Sequence, residues 1–246
     1  MNPVIASILC PTGKLRASIN LGNPILANKN LDTGEAFGVS IDLARELAKR
    51  LGLSVELKTF DAAAKSVAAV TSNEADVGFF AIDPLRGEGI SFSAAYVHIE
   101  GCYLVRQESS IRDNADVDKA GIHIAVGKGS AYDLFLTREI KNAELNRAPT
   151  SPAVVSYFLE HKLEVAAGVK QQLEADAKHL ADTIKLRLLD GNFMVIKQAM
   201  GIPANRGEAA TQYLRNFVEE MKRTGFVAAS LAKHHIQGAE VAPLVN

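Results

Sequence analysis

The sequence predicts an α/β protein of two lobes. Each lobe is an open, mainly parallel sheet flanked by helices, and the chain crosses between the lobes twice. Three observations predict it. Short apolar runs of strand length alternate with stretches of helical periodicity through residues 15–82, giving β-α-β-α-β, the pattern of a parallel sheet covered by helices. The same rhythm restarts at residue 122. Two further β-prone stretches, residues 96–105 and 193–196, stand where the chain must pass from one unit to the other. The expected lobes are residues 1–105 with 196–246, and residues 106–195. A double crossover permits hinge closure around a ligand.

The elements follow in order. Residues 15–19 read as a strand that ends in the turn cluster Asn20-Leu21-Gly22-Asn23-Pro24, and residues 28–35 as a polar loop. Ser40 stands at an N-cap position before Ile41, Ala44, Leu47, Ala48 and Leu51 at helical spacing. Lys49 and Arg50 suit the last turn and Gly52 supplies the stop. Residues 53–57 alternate as a strand, Asp61 is placed to cap an alanine-rich helix to about Thr71, and residues 76–82 form a buried strand. In the second unit, residues 122–126 are a strand and Ser130 caps a helix to about Ile140, with Asp133 placed as in a capping box. Residues 144–148 are a strand, and Ser151-Pro152 starts a helix reaching about Leu163. Residues 164–169 are a strand, 171–180 a helix and 184–188 a strand. A long helix from Gly207 to about Thr224 is stopped by Gly225, and the C-terminal segment is expected to pack on the first lobe.

Composition excludes several function classes. The chain has 246 residues, 48% hydrophobic and 22% charged, enough to bury a large core without disulfide or metal. Lys and Arg number 27 against 28 Asp and Glu, so there is no basic excess to neutralise nucleic-acid phosphates. Trp is absent and aromatics make up 6%, a poor basis for stacking single-stranded bases. Cys10 and Cys102 have no metal-ligand spacing, and a bridge between them stays open. No apolar run reaches the ~20 residues that span a bilayer, so no membrane insertion is expected. The N-terminal residues lack a basic region before a short apolar stretch broken by Pro3. The expected location is therefore periplasmic if a leader has been removed, and otherwise cytoplasmic.

The usual catalytic signatures are missing. Ser130 lies in Gly-Lys-Gly-Ser-Ala-Tyr, where Tyr132 occupies the position a nucleophile elbow gives to Gly. The same Tyr132 breaks a dinucleotide fingerprint that starts at Gly127. His234 and His235 are adjacent, point about 100° apart on a helix, and are expected to be solvated. His123 on a strand is expected to be packed and hydrogen-bonded. No cofactor or metal is expected.

Small-molecule capture remains. Asp83-Pro84-Leu85-Arg86 directly follows a strand, and open α/β sheets bind ligands beyond the carboxyl ends of their strands. Arg86 there can offer a planar fork to a carboxylate, or can be a plain surface arginine. In the second unit, Gly129-Ser130-Ala131 sits at a helix N-terminus after a strand. Its backbone N–H groups and the Ser130 hydroxyl can hold an anion, and Ser130 can equally serve its helix as a cap.

These motifs resemble the family 3 extracellular solute-binding proteins of ABC transporters, of the polar amino-acid binding type. Gly34 to Ala44 is similar to that family's Gly-x-x-x-Gly-x-x-x-Asp-Leu signature. Ile82 to Arg86 with Ile90 to Tyr96 is similar to its Ile-Thr-x-x-Arg block, and Gly127 to Ala131 to its second-lobe hydroxyl loop. The resemblance implies a type II periplasmic-binding-protein fold with the ligand in the cleft. It also implies an ABC permease as partner, and an amino acid or related organic acid whose carboxylate is clamped by Arg86 and by Ser130 with Gly129 and Ala131. Ala81, Ile82 and Asn23 are expected beside the ligand, with Phe37 and Phe60 as apolar walls or as core. The sequence departs from the family where an Asp usually meets the ligand ammonium: here stands Val169 or Lys170. Lys170 would favour a second acid group, and Asp83 or Glu100 are alternative ammonium acceptors, with Asp83 also fitting a turn before Pro84. Two other readings share the scaffold. One is a dehydratase-like enzyme using Glu100 or Asp83 as general acid with Lys170 beside it; the other is a cytoplasmic ligand sensor.

Overall fold

The computed structural model describes residues 3–245. It divides into two compact units, Met1–His98 with Lys197–Asn246, and Ile99–Ile196.

In unit 1, α1 (Pro3–Leu9) precedes β1 (Leu15–Asn20), and a small antiparallel hairpin follows, β2 (Asn28–Lys29) with β3 (Ala36–Phe37). Then come α2 (Val39–Leu51), β4 (Val55–Phe60), α3 (Ala63–Thr71), β5 (Val77–Ala81) and the single turn α4 (Pro84–Gly87). The long strand β6 (Ile90–Arg106) leaves unit 1 after His98. Unit 2 continues with β7 (His123–Gly127), α5 (Ala131–Glu139), β8 (Glu144–Ala148), α6 (Val154–Glu160), β9 (Val165–Val169), α7 (Lys170–His179) and β10 (Leu186–Leu188). β11 (Met194–Pro203) returns to unit 1 at Lys197, and α8 (Glu208–Arg223), α9 (Phe226–Lys233) and β12 (Glu240–Val241) complete it.

The strand order in unit 1 is β4-β1-β5-β11-β6, with β1 parallel to β4 and β5, and β11 antiparallel to β5. In unit 2 the order is β6-β9-β7-β8, with β7 parallel to β8 and β9, and β6 antiparallel to β9. This is the type II periplasmic-binding-protein fold. Every residue of β5 is buried because helices cover both faces of a parallel sheet, which is why Val77-Gly78-Phe79-Phe80-Ala81 carries no polar alternation. Phe80 packs with Val70 and Ile90 in unit 1, and Phe158 with Leu104 and Val155 in unit 2. Each such side chain contributes roughly 1.5–3 kcal/mol on burial.

Several local expectations changed. Ser40 is not the cap of α2; Gly38 is, at φ 127°, and Ser40 is buried in the first turn with its N–H on the Leu26 carbonyl. The chain passes so close to Leu26 that a Cβ on Gly38 would lie 2.5 Å from that carbonyl oxygen, so only glycine fits. Asp61 falls one residue short of capping α3 and instead pairs with Lys65. Before α6, Ser151 opens a short 3-10 turn whose N-cap is Thr150, and the helix stops at Glu160, with Lys162 at positive φ. The expected polar loop of residues 28–35 opens with the first strand of the hairpin, Asn28–Lys29, and ends just before the second, Ala36–Phe37. The apolar stretch before residue 105 belongs to a strand of 17 residues, far longer than its hydrophobic part. His234 is not solvated: its ring lies 2.8 Å from Asp42 with only 10% of the side chain exposed. Cys10 and Cys102 are both free and buried.

Candidate functional site

β1, β4 and β5 run parallel, so their carboxyl ends emerge on one edge of unit 1. That edge carries Asn23, Phe60 and the segment from Ala81 to Arg86. Asp83 caps α4, its carboxylate accepting from the Leu85 N–H at 2.9 Å, and Pro84 takes the first helical position. This tight turn throws Arg86 back over the strand it follows. The Arg86 guanidinium donates to the Ala81 carbonyl at 3.1 Å, and the residue is 6% exposed. Burial pushes the guanidinium down to about 10, with the Asp83 carboxylate acting in the opposite sense, so it stays charged at neutral pH. Ile82 and Leu85 flank it as exposed apolar side chains.

The turn after β1 is built on Asn23. Its carbonyl accepts the N–H groups of Leu26 and Ala27, both at 3.1 Å. Its side-chain Oδ1 is buried and has no partner among the described residues. A buried acceptor left in that state costs about 1–3 kcal/mol. Phe60 is half-buried and packs against the cluster around Phe80. Phe37 is exposed and has its ring 6.0 Å from that of His234.

The corresponding loop of unit 2 follows β7. Gly129 has φ 70°, the left-handed region that favours glycine. Its N–H donates to the Asp133 carboxylate at 2.8 Å, and the Ser130 Oγ accepts from the Asp133 N–H at 3.0 Å. The reciprocal bond of the capping box thus comes from Gly129, because the Ser130 N–H already donates to the Gly127 carbonyl at 2.9 Å. Asp133 is buried and also accepts from Arg147 Nε at 3.0 Å, while Arg147 donates to Thr137 at 2.8 Å. Tyr132 is buried, which raises its phenol above the usual range, with the nearby Ser151 and Ser130 hydroxyls acting in the opposite sense. Ala131 is the first residue of α5, in the turn whose N–H groups have no intrahelical partner.

Glu100 and Lys170, both in unit 2, bind one another. The ammonium donates to Glu100 at 2.8 Å, and Asn192 donates to the other carboxylate oxygen at 2.8 Å. Hydrogen bonds from Lys170 and then Asn192 hold Glu100 below the usual carboxylate range, and Glu100 in turn holds Lys170 above its own. The pair is electrically neutral and partly exposed. The two charges expected from the sequence to face a ligand are committed to one another.

Within unit 1 the structure brings Arg86, Asp83, Ala81, Ile82 and Asn23 to one edge, and within unit 2 it places Gly129, Ser130 and Ala131 in one turn. Sequence reasoning missed Arg147 and Asn192. Neither carries a local signal, since each meets its partner across the fold. The pin formed by Asp133 was half visible in the Ser-x-x-Asp spacing.

Among the described residues no helix is long and apolar enough to cross a membrane. The chain belongs to the bacterial extracellular solute-binding proteins, family 3, which match it over residues 25–237. A glutamine-binding protein of Geobacillus stearothermophilus is 29% identical over 122 residues, which are 48% of this chain and 46% of that protein. The matched stretch thus spans under half the length of that relative. Among solved structures, the solute receptor for L-cysteine of Neisseria gonorrhoeae is similar with a TM-score of 0.77 and 22% identity, covering 93% of this chain and 92% of that one. A binding component of an ABC transporter of Wolinella succinogenes, complexed with lysine, gives 0.75 at 21% identity, covering 91% and 95%. At such identities the two structures show the fold alone.

Proposed function

We propose that this protein captures an amino acid or a related small carboxylic acid outside the cytoplasmic membrane and presents it to an ABC permease, with hinge movement at the two chain crossings closing the units on the ligand. The observation that carries the reading is the placement of Arg86: a charged guanidinium, oriented by the Ala81 carbonyl, at the strand edge where open α/β sheets take ligands. A planar guanidinium matches a carboxylate with two parallel hydrogen bonds. In the turn of Gly129, Ser130 and Ala131, the Gly129 and Ser130 N–H groups are already in use, so the neutral donors for the same group are the Ala131 N–H and the Ser130 hydroxyl. The unpartnered Oδ1 of Asn23 is an acceptor suited to a ligand ammonium or amide. The names of the similar proteins put glutamine, lysine and cysteine first among ligands to try.

Dehydratase-like chemistry with Glu100 as general acid is disfavoured, because the ion pair with Lys170 keeps that carboxyl ionised at neutral pH. A thermal-shift screen of amino acids, dicarboxylates and aromatic acids tests the proposal. A true ligand at 100 times its Kd stabilises the fold by about 2.7 kcal/mol. Calorimetry with that ligand should then show binding lost in Arg86→Ala. Equal affinity of the variant, or conversion of the ligand to product, would overturn the reading.

A further inference from the structure

Unit 1 carries a concave surface on its helical side. A groove of about 370 Å³ runs between α2 and α9, lined by Asp42, Arg45, Glu46 and Lys49 from one helix and by Phe226, Ala229, Ser230 and Lys233 from the other. Its acidic groups are already engaged. Asp42 accepts from Ser230 at 2.8 Å, Lys233 at 3.0 Å and His234 at 2.8 Å, which ties the end of α9 to the first turn of α2. Glu46 accepts from Arg50 at 2.8 Å. The cations are less committed. Lys49 is 81% exposed and lies 3.8 Å from Glu46, and Arg45 is exposed one helical turn before it on the same face. Of the three cations in the lining Lys233 is spent on Asp42, and both carboxylates are in use, which leaves Arg45 and Lys49 as the charges the groove presents.

The other wall offers an exposed Ala229 and, at the start of α9, a half-buried Phe226. An exposed methyl group beside a half-buried ring makes a smooth floor, and a small side chain there lets a second helix approach to the 8–10 Å at which helices pack. We infer that this groove docks an acidic amphipathic helix of a partner protein, with its apolar side on Phe226 and Ala229 and its carboxylates against Arg45 and Lys49. A membrane surface is the poorer occupant, because a flat sheet of headgroups cannot fill a concavity floored by alanine.

The probe is a pair of fluorescent amphipathic peptides with the same leucine pattern, one with Glu and one with Lys at every polar position. Fluorescence anisotropy at low ionic strength should show binding of the Glu peptide and not of the Lys peptide. The double variant Arg45→Glu, Lys49→Glu should weaken it more than tenfold, and Ala229→Trp should do the same by filling the floor. Both variants alter exposed positions, and unchanged circular dichroism and melting curves would show the fold intact. Three outcomes would each overturn the inference: no binding of the Glu peptide, equal binding by wild type and both variants, or phosphatidylglycerol vesicles displacing the peptide from the protein.

Discussion

The loops that follow β5 and β7 occupy equivalent places in their units and are held in shape by different means. In unit 1, a one-turn helix capped by Asp83 holds a full positive charge in a buried setting. In unit 2, a glycine turn leads into α5, and a buried carboxylate, Asp133, holds the turn in shape by accepting from Gly129 while Ser130 accepts from it. One loop offers charge and the other offers oriented neutral dipoles. A charge-assisted bond is about twice as strong as a neutral one, so the two loops should contribute unequally to holding an anion.

The largest expected effect comes from removing the charge. Arg86→Ala should cost about 2–5 kcal/mol in ligand binding, read by calorimetry, because it deletes one partner of a buried charged pair. Arg86→Lys should recover only part of that, since an ammonium lacks the planar fork. In unit 2, Asp133→Ala should cost about 1–3 kcal/mol in unfolding free energy by stranding the Gly129 N–H, and should weaken ligand binding through the altered turn. A larger loss of affinity for Asp133→Ala than for Arg86→Ala would reverse the comparison and make the glycine turn the principal anchor. Gly129→Ala tests the turn's backbone alone, with an expected loss of about 1–2 kcal/mol in denaturant titration from the left-handed conformation.

The smallest effect concerns the pair that neither loop uses. Glu100 is held below the usual carboxylate range in the folded protein, so its contribution to stability is fully present above the unfolded value near ~4.3 and is lost as pH falls through the folded one. Lys170→Met should remove that acid dependence. Because both side chains are more than a third exposed, the change should be only about 0.2–1 kcal/mol, seen as a flatter melting-temperature curve below pH ~5.

Much of this was legible in the chain itself. The apolar run of β5, the periodicity of α2 with its Gly52 stop, and the strand of residues 144–148 follow from local pattern, and the structure places them there. The position of Arg86 just beyond a strand was equally local. Where two neighbouring residues competed for one role, sequence was a poor guide. Gly38 displaced Ser40 as the start of α2 because of a close approach to Leu26, a residue twelve positions upstream by sequence number. His234 read as solvated because its partner, Asp42, lies 192 positions away.

The sequence by itself determined the alternation of strands and helices, the two-unit organisation of the topology and the strand-end loops that carry Arg86 and Ser130, because periodicity and turn chemistry act over a few residues. Only the tertiary structure decided what each polar group binds. Glu100 finds Lys170, Arg147 reaches Asp133 and Asp42 gathers Ser230, Lys233 and His234 through contacts between distant segments. A buried charge takes its partner from whatever the fold brings within about 3 Å, and short-range pattern carries no record of that distance.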